Sequence, residues 1–268
     1  MDTQAWLEYF TINENRAPAH VPARLDVPEH LRDPLVHALR LFQAGETGEG
    51  RIVHESRRAV PRDRAFQESM RLYIAEEGRH ARELGQLVRA LHGGAAVTPP
   101  GDARAFTFAR RALGYWPKMA ILTAAEVVGI VFYDLLAERI PCAELASVVA
   151  TISSEERAHL ALQRDTFEAL AARAPAGAPR AATALLATGL VAATVTSVAV
   201  FAVEIRDLLS KLDVAPRELA LRTARVLDAV SKTPSEDVVE ACLARARAAA
   251  VEERPARSAA PFGWLGAA

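Results

Sequence analysis

The chain is predicted to be all-α: a four-helix bundle followed by additional helices. Three observations lead there. Long segments place apolar residues at the i, i+3, i+4, i+7 spacing of one helix face, and no segment shows strand alternation. Hydrophobic residues make up 51% of the 268 residues but aromatics only 6%. Ala, Leu and Val must therefore fill the core, and Ala-rich segments favour helix. Finally, EExxH occurs twice, at Glu76–His80 and Glu155–His159, each copy on such an apolar stripe.

Residues 1–32 read as an N-terminal arm without a long periodic segment, broken by Pro18, Pro22 and Pro28; Trp6, Tyr9 and Phe10 are expected to pack it onto the bundle. The bundle spans 33–173. Asp33-Pro34 reads as N-cap and N1 of the first helix, whose inward stripe is Val36, Leu39, Phe42, Glu46, Glu49 and Val53. Gly45, Gly48 and Gly50 interrupt it. Each costs roughly 1 kcal/mol against Ala, which suggests close backbone approach or a π-bulge. The second helix runs from about 61–63 to Gly93-Gly94, with Phe66, Met70, Tyr73, Glu77, His80, Leu84 and Leu91 inward. A loop at 98–101 and a short helix at 102–113 lead to a break at Tyr115-Trp116-Pro117. The third helix covers about 118–139, with Met119, Leu122, Glu126, Gly129 and Tyr133 inward, and Pro141 ends it. The fourth covers about 142–173, with Leu145, Val149, Ile152, Glu156, His159, Gln163 and Phe167 inward.

Residues 174–251 are expected to form C-terminal helices packed on the bundle, and 252–268 a flexible tail. Within them, 181–203 carries no charge. Its length permits a membrane span, but eight Ala, four Thr, one Ser and one Gly dilute the hydrophobicity. A helix buried against the bundle is the preferred reading, membrane association the alternative. Amphipathic helices follow near 215–231 and 235–250.

Net charge is −1 with no dense basic run, which argues against a nucleic-acid partner. Cys142 and Cys242 form no CxxC, as fits a reduced cytoplasmic protein. The start MDTQAWLEYF does not read as a signal peptide. No GxSxG, P-loop or GxGxxG pattern is present, so hydrolase and nucleotide-binding readings lack support.

In a helix, residues i and i+3 share a face, so each EExxH aims a carboxylate and an imidazole at one spot. That pair suits iron or manganese. With 22 Glu and 7 His, ExxH arises by chance about once in two such sequences, so alone it is weak. The upstream glutamates strengthen it. Glu46 precedes Glu77 by 31 residues and Glu126 precedes Glu156 by 30. About thirty residues is half a helix, a turn and half a helix back, which returns each Glu to the level of its ExxH. An unpaired carboxylate on an apolar stripe is expensive, and metal coordination is a reason for it.

The set Glu, ExxH, Glu, ExxH on four helices resembles the ferritin-like di-iron carboxylate superfamily, over roughly residues 33–172. The resemblance implies that Glu46, Glu77, His80, Glu126, Glu156 and His159 are metal ligands forming the catalytic centre. They would hold two iron ions, or manganese, or a mixed pair. In oxygen-activating members an acid just before each ExxH Glu hydrogen-bonds the ligand His of the opposite motif. Glu76 and Glu155 occupy those positions, with a solvated helix face as the competing reading. GETGE resembles the rubrerythrin GExxE pattern, which makes Glu49 a candidate seventh ligand or a replacement for Glu46. Glu46 is preferred because 31 matches the second repeat's 30 better than 28 does. Tyr73 and Tyr133 either pack the core, the preferred role, or line the pocket and take part in proton or radical transfer. His20, His30, His37 and His92 have no Glu three residues before them and receive no role; His54 is placed on a surface.

The function implied is an O2-activating di-iron oxygenase or oxidase that hydroxylates, desaturates or otherwise oxidises an organic molecule. The neighbours Phe42, Val53, Leu84, Leu122, Ile130 and Ile152 are apolar, so a small, largely apolar substrate is expected, with Gly129 leaving room. Electrons would come from a separate reductase or donor protein, and a homodimer is compatible. The alternatives are a ferroxidase, rubrerythrin-like peroxidase, manganese catalase or other iron-handling protein, and a metal-free helical scaffold. Arylamine N-oxygenases add a His one turn before the last ligand Glu, where this chain has Ile152.

Overall fold

The structure is a computed structural model that describes residues 2–47, 51–59, 63–93, 115–172, 179–233 and 235–252. Among them every regular element is an α-helix. The short helix expected at 102–113 and most of the tail, from 253, lie outside the described residues, as do Gly48, Glu49 and Gly50.

Helix α1, Thr3–Glu14, corrects the reading of the N-terminal arm. Asp2 caps it by accepting from the Gln4 and Ala5 amides. Trp6, Tyr9, Phe10 and Asn13 are its buried residues, an i, i+3, i+4, i+7 stripe that is merely short. Helix α2, Glu29–Glu46, starts a turn earlier than Asp33-Pro34 suggested, and Pro34 lies inside it. A proline this near the N-terminus removes one bond close to the turn whose amides are unpartnered in any case. The predicted first helix is two helices. The backbone leaves α2 at Thr47 (φ −72°, ψ 84°), and α3 spans Arg51–Ala59.

Helix α4, Arg64–Leu91, is capped by Asp63, whose carboxylate accepts from the Phe66 amide. It ends before Gly93, which takes a left-handed φ of 71°. Helix α5, Tyr115–Arg139, includes the Tyr115-Trp116-Pro117 segment expected to be a break; proline is tolerated in a first turn. Helix α6 is Ala143–Ala172 and α7 is Pro179–Glu204. A short α8, Arg206–Lys211, follows, then α9, Pro216–Lys232, and α10, Ser235–Glu252.

Helices α2 and α4 pack as one pair and α5 and α6 as another. Helix α1 lies against α4 and α10, while α7 and α9 cover α5. The core has two apolar clusters. One holds Leu35, Leu39, Phe42, Leu84, Phe132 and Ile152; the other holds Trp6, Phe10, Phe66, Met70, Tyr73 and Met119. Along α4 the clusters use residues 84–91 and 66–73. Residues 76–83 lie between them, and they carry the first EExxH.

Helix α7 differs from its expected burial. Thr194 is buried, and Val198, Phe201 and Ala202 pack on the bundle, but Val191, Val195, Val200 and Val203 are 48–58% exposed. A buried face and an open apolar face thus share the uncharged stretch of α7 from Val191 to Val203. Among the described residues one helix is long and apolar enough to cross a membrane, Lys118–Arg139 within α5, and 72% of its apolar window is buried inside the bundle.

Candidate metal centre

Four helices deliver one carboxylate or one carboxylate–imidazole pair each to the layer between the two apolar clusters. Glu46 is the last residue of α2, Glu77 and His80 come from α4, Glu126 from α5, and Glu156 and His159 from α6. All six are buried, the two histidines completely. One donor atom from each of Glu77, His80, Glu156 and His159 lies within 4.8 Å of the others. Donors bound at about 2.0–2.2 Å to one ion stand at most about 4.4 Å apart, so this spacing is close to that of shared ligation.

Glu156 is the crosslink. Its Oε1 is 2.8 Å from His80 Nδ1 and its Oε2 is 3.1 Å from His159 Nδ1. Glu77 Oε1 is 2.9 Å from His159 Nδ1, and Glu46 Oε2 is 3.9 Å from His80 Nδ1. Of these approaches His159 Nδ1 to Glu156 Oε2 has hydrogen-bond geometry, whereas Glu77 Oε1, His80 Nδ1 and Glu156 Oε1 have no hydrogen-bond partner although all three are buried. Buried polar atoms normally have one. Converging donors of which three stay unsatisfied are what a cation site offers. The residues present fit a metal.

The outer nitrogens are tied down separately. His80 Nε2 is 2.7 Å from Glu155 Oε2, and His159 Nε2 is 3.1 Å from Glu76 Oε1. Each imidazole is thereby oriented with Nδ1 toward the centre, the role that carboxylate partners of metal-bound histidines play. Glu76 and Glu155 are only 2% and 5% exposed, which rules out the solvated-face reading.

Tyr73 and Tyr133 do more than pack. The Tyr73 hydroxyl donates to Glu126 Oε1 at 2.8 Å, and the Tyr133 hydroxyl to Glu46 Oε1 at 2.7 Å. Gln163 Nε2 also donates to Glu126 Oε1, at 2.8 Å. Sequence reasoning placed Gln163 on the inward stripe without a role; an amide on an apolar stripe was the available signal. A further set came from outside the bundle. Asn13, Arg16 and Arg79 gather on Glu155, and Arg16 also pairs with buried Glu83 at 3.1 Å.

Electrostatics match this arrangement. Burial pushes the Glu46 and Glu126 carboxyls well above the ordinary range, and Glu156 and Glu77 push the same way. Burial opposes charge on His80 and His159, yet the neighbouring carboxylates, Glu156 foremost, outweigh it and raise both imidazoles. Glu156 and Glu155 are held ionised in spite of burial. Glu126 and the two histidines hold Glu156, while His80, Arg79 and Arg16 hold Glu155. A cation held among these groups would compete with protons for the same carboxylates and imidazoles.

Two cavities bear on access. A groove of about 620 Å³ runs beside α4, lined by Arg16, Pro18, Glu76, Arg79 and Glu83 among others, and reaches the back of Glu76. An apolar hollow of about 20 Å³ lies between α5, α7 and α9, lined by Phe132, Phe201 and Leu219, and touches none of the six cluster residues.

No protein-family model, curated protein or solved structure matches the chain. Sequence and geometry alone define its class: an all-helical bundle with a buried carboxylate–imidazole cluster able to hold a metal ion.

Proposed function

We propose that the chain is a ferritin-like di-metal carboxylate oxidoreductase, with two iron ions as the natural occupants. It would use O2, drawing electrons from a separate donor protein, to oxidise a small, largely apolar organic molecule. The observation that supports this reading is the pair of matched Glu–His units, each with its own outer carboxylate, facing each other across Glu156.

Glu46, Glu77, Glu126, Glu156, His80 and His159 would hold the metals, and four carboxylates opposite two divalent cations come out near neutral. The chemistry supplied by such a centre is reduction of O2 coupled to oxidation of a partner molecule. The chain's own contribution is positional. Glu155 and Glu76 orient the imidazoles, while Tyr73 and Gln163 fix the Glu126 carboxylate and Tyr133 that of Glu46. Both apolar clusters keep bulk water from the layer, which strengthens every interaction inside it.

A second reading is favoured by the cavities. The groove that reaches Glu76 is lined largely by polar side chains, as suits ions, protons and small polar reactants. That supports a ferroxidase or rubrerythrin-like peroxidase with the same ligands and no organic substrate. Metal analysis of the native protein, followed by anaerobic Fe(II) loading and an O2 titration followed optically, tests both. Failure to load about two metals per chain sinks both readings. Loading with O2 consumption that needs no organic molecule and releases ferric ion selects the second.

A further inference from the structure

Glu76 and Glu155 belong to opposite halves of the bundle, yet one side chain touches both. Asn13, near the end of α1, places its Nδ2 at 2.7 Å from Glu76 Oε2 and 2.8 Å from Glu155 Oε1. These are the oxygens turned away from the histidines: Glu76 Oε1 faces His159 and Glu155 Oε2 faces His80. With two carboxylates as partners, only the orientation that presents the NH2 satisfies the amide, and its two hydrogens serve one acid each. Arg79 reinforces the junction: its Nη2 lies 3.1 Å from both Glu76 Oε2 and Glu155 Oε1, and its Nη1 donates to the Asn13 carbonyl at 3.1 Å. Helix α1 is seated there by Trp6, whose Nε1 donates to Asp165 of α6 at 2.9 Å, and by Tyr9 and Phe10 in the second apolar cluster.

We propose that Asn13 is a positioning residue that clamps both histidine-orienting carboxylates at once, so that docking of α1 and metal loading at both positions are coupled. The inference rests on the metal-centre reading above. Two acids this close repel, and the Arg79 guanidinium between them offsets that repulsion. The Asn13 amide adds one neutral donor to each acid, whereas Asp would bring a third carboxylate. Each acid has its second oxygen held and so turns the first toward its imidazole, which leaves both Nδ1 atoms facing inward. Coupling must also run in reverse: metal loading should tighten α1.

The test titrates Co(II) into the metal-free full-length chain and follows stoichiometry and the visible cobalt bands. The wild type is expected to take two Co(II). Asn13→Ala should weaken both equivalents by about tenfold to a hundredfold. Asn13→Ser, which keeps one donor, should weaken them less, and it carries the test if the alanine variant does not fold. Leu7→Ala, on the same helix but away from the acids, should lower the melting temperature while weakening cobalt binding far less than Asn13→Ala does. Co(II) should also slow tryptic cleavage after Arg16 in the wild type and not in the Asn13 variants. If the wild type loads two Co(II) and the Asn13 variants load equally well, or lose only one position, the clamp is wrong and the metal centre stands. If the wild type binds no cobalt, the metal-centre reading falls and the clamp falls with it.

Discussion

The first half of the bundle presents Glu46, Glu77 and His80, the second Glu126, Glu156 and His159, at nearly equal spacing. Aligning the halves on these residues sets Tyr73 opposite Ile152, Gln163 opposite Leu84 and Tyr133 opposite Val53. Every polar support is answered by an apolar residue in the other half. Glu126 accepts from Tyr73 and Gln163, whereas Glu46 accepts from Tyr133 and sits at the very end of α2, where the backbone leaves the helix. The acid–imidazole skeleton is thus repeated while its supports are not. The unmatched part lets one of the two flanking carboxylates, Glu126, be held more firmly than Glu46.

The largest effect should come from the residue the halves share. Glu156→Ala should reduce metal content from about two per chain to near zero, because Glu156 approaches both histidines, while Glu46→Ala should lose chiefly one. Equal residual metal in the two variants would erase the distinction. Gln163→Leu makes the second half like the first at that position. It should weaken one metal position by roughly tenfold, read by metal titration, and spare the other.

Tyr133→Phe should lower stability by roughly 1–2 kcal/mol, the cost of leaving a buried acceptor unpaired. Tyr73→Phe should cost less, since Gln163 still donates to Glu126; thermal melts of the metal-free variants compare the two. The smallest effect lies farthest from the centre. Val195→Arg on the open face of α7 should change stability by no more than about 0.5 kcal/mol. Val198→Arg, which packs on the bundle, should destabilise by over about 2 kcal/mol through burial of an unpaired charge. A change in oligomeric state with Val195→Arg would show that a second copy covers that face.

The long helical stretches of the bundle, though not the split of its first helix or the start of α5, and the side chains that meet at its centre were readable from residue order. A 3.6-residue repeat dictates which side chains share a face. A return of about thirty residues sets Glu46 level with Glu77, and Glu126 with Glu156. Three things were not readable. Helix α1 is too short for its periodicity to stand out among prolines, so Asn13 and Arg16 had no visible link to residues 63–142 positions away. The choice of partner for Tyr73, Tyr133 and Gln163 depends on how helices from the two halves rotate against each other, which packing sets and spacing does not. The exposure of Val191, Val195, Val200 and Val203 follows from which neighbours reach α7. An uncharged helix announces that it avoids water, but only the tertiary arrangement decides how many of its faces find cover, because burial belongs to the surrounding elements and not to the residue.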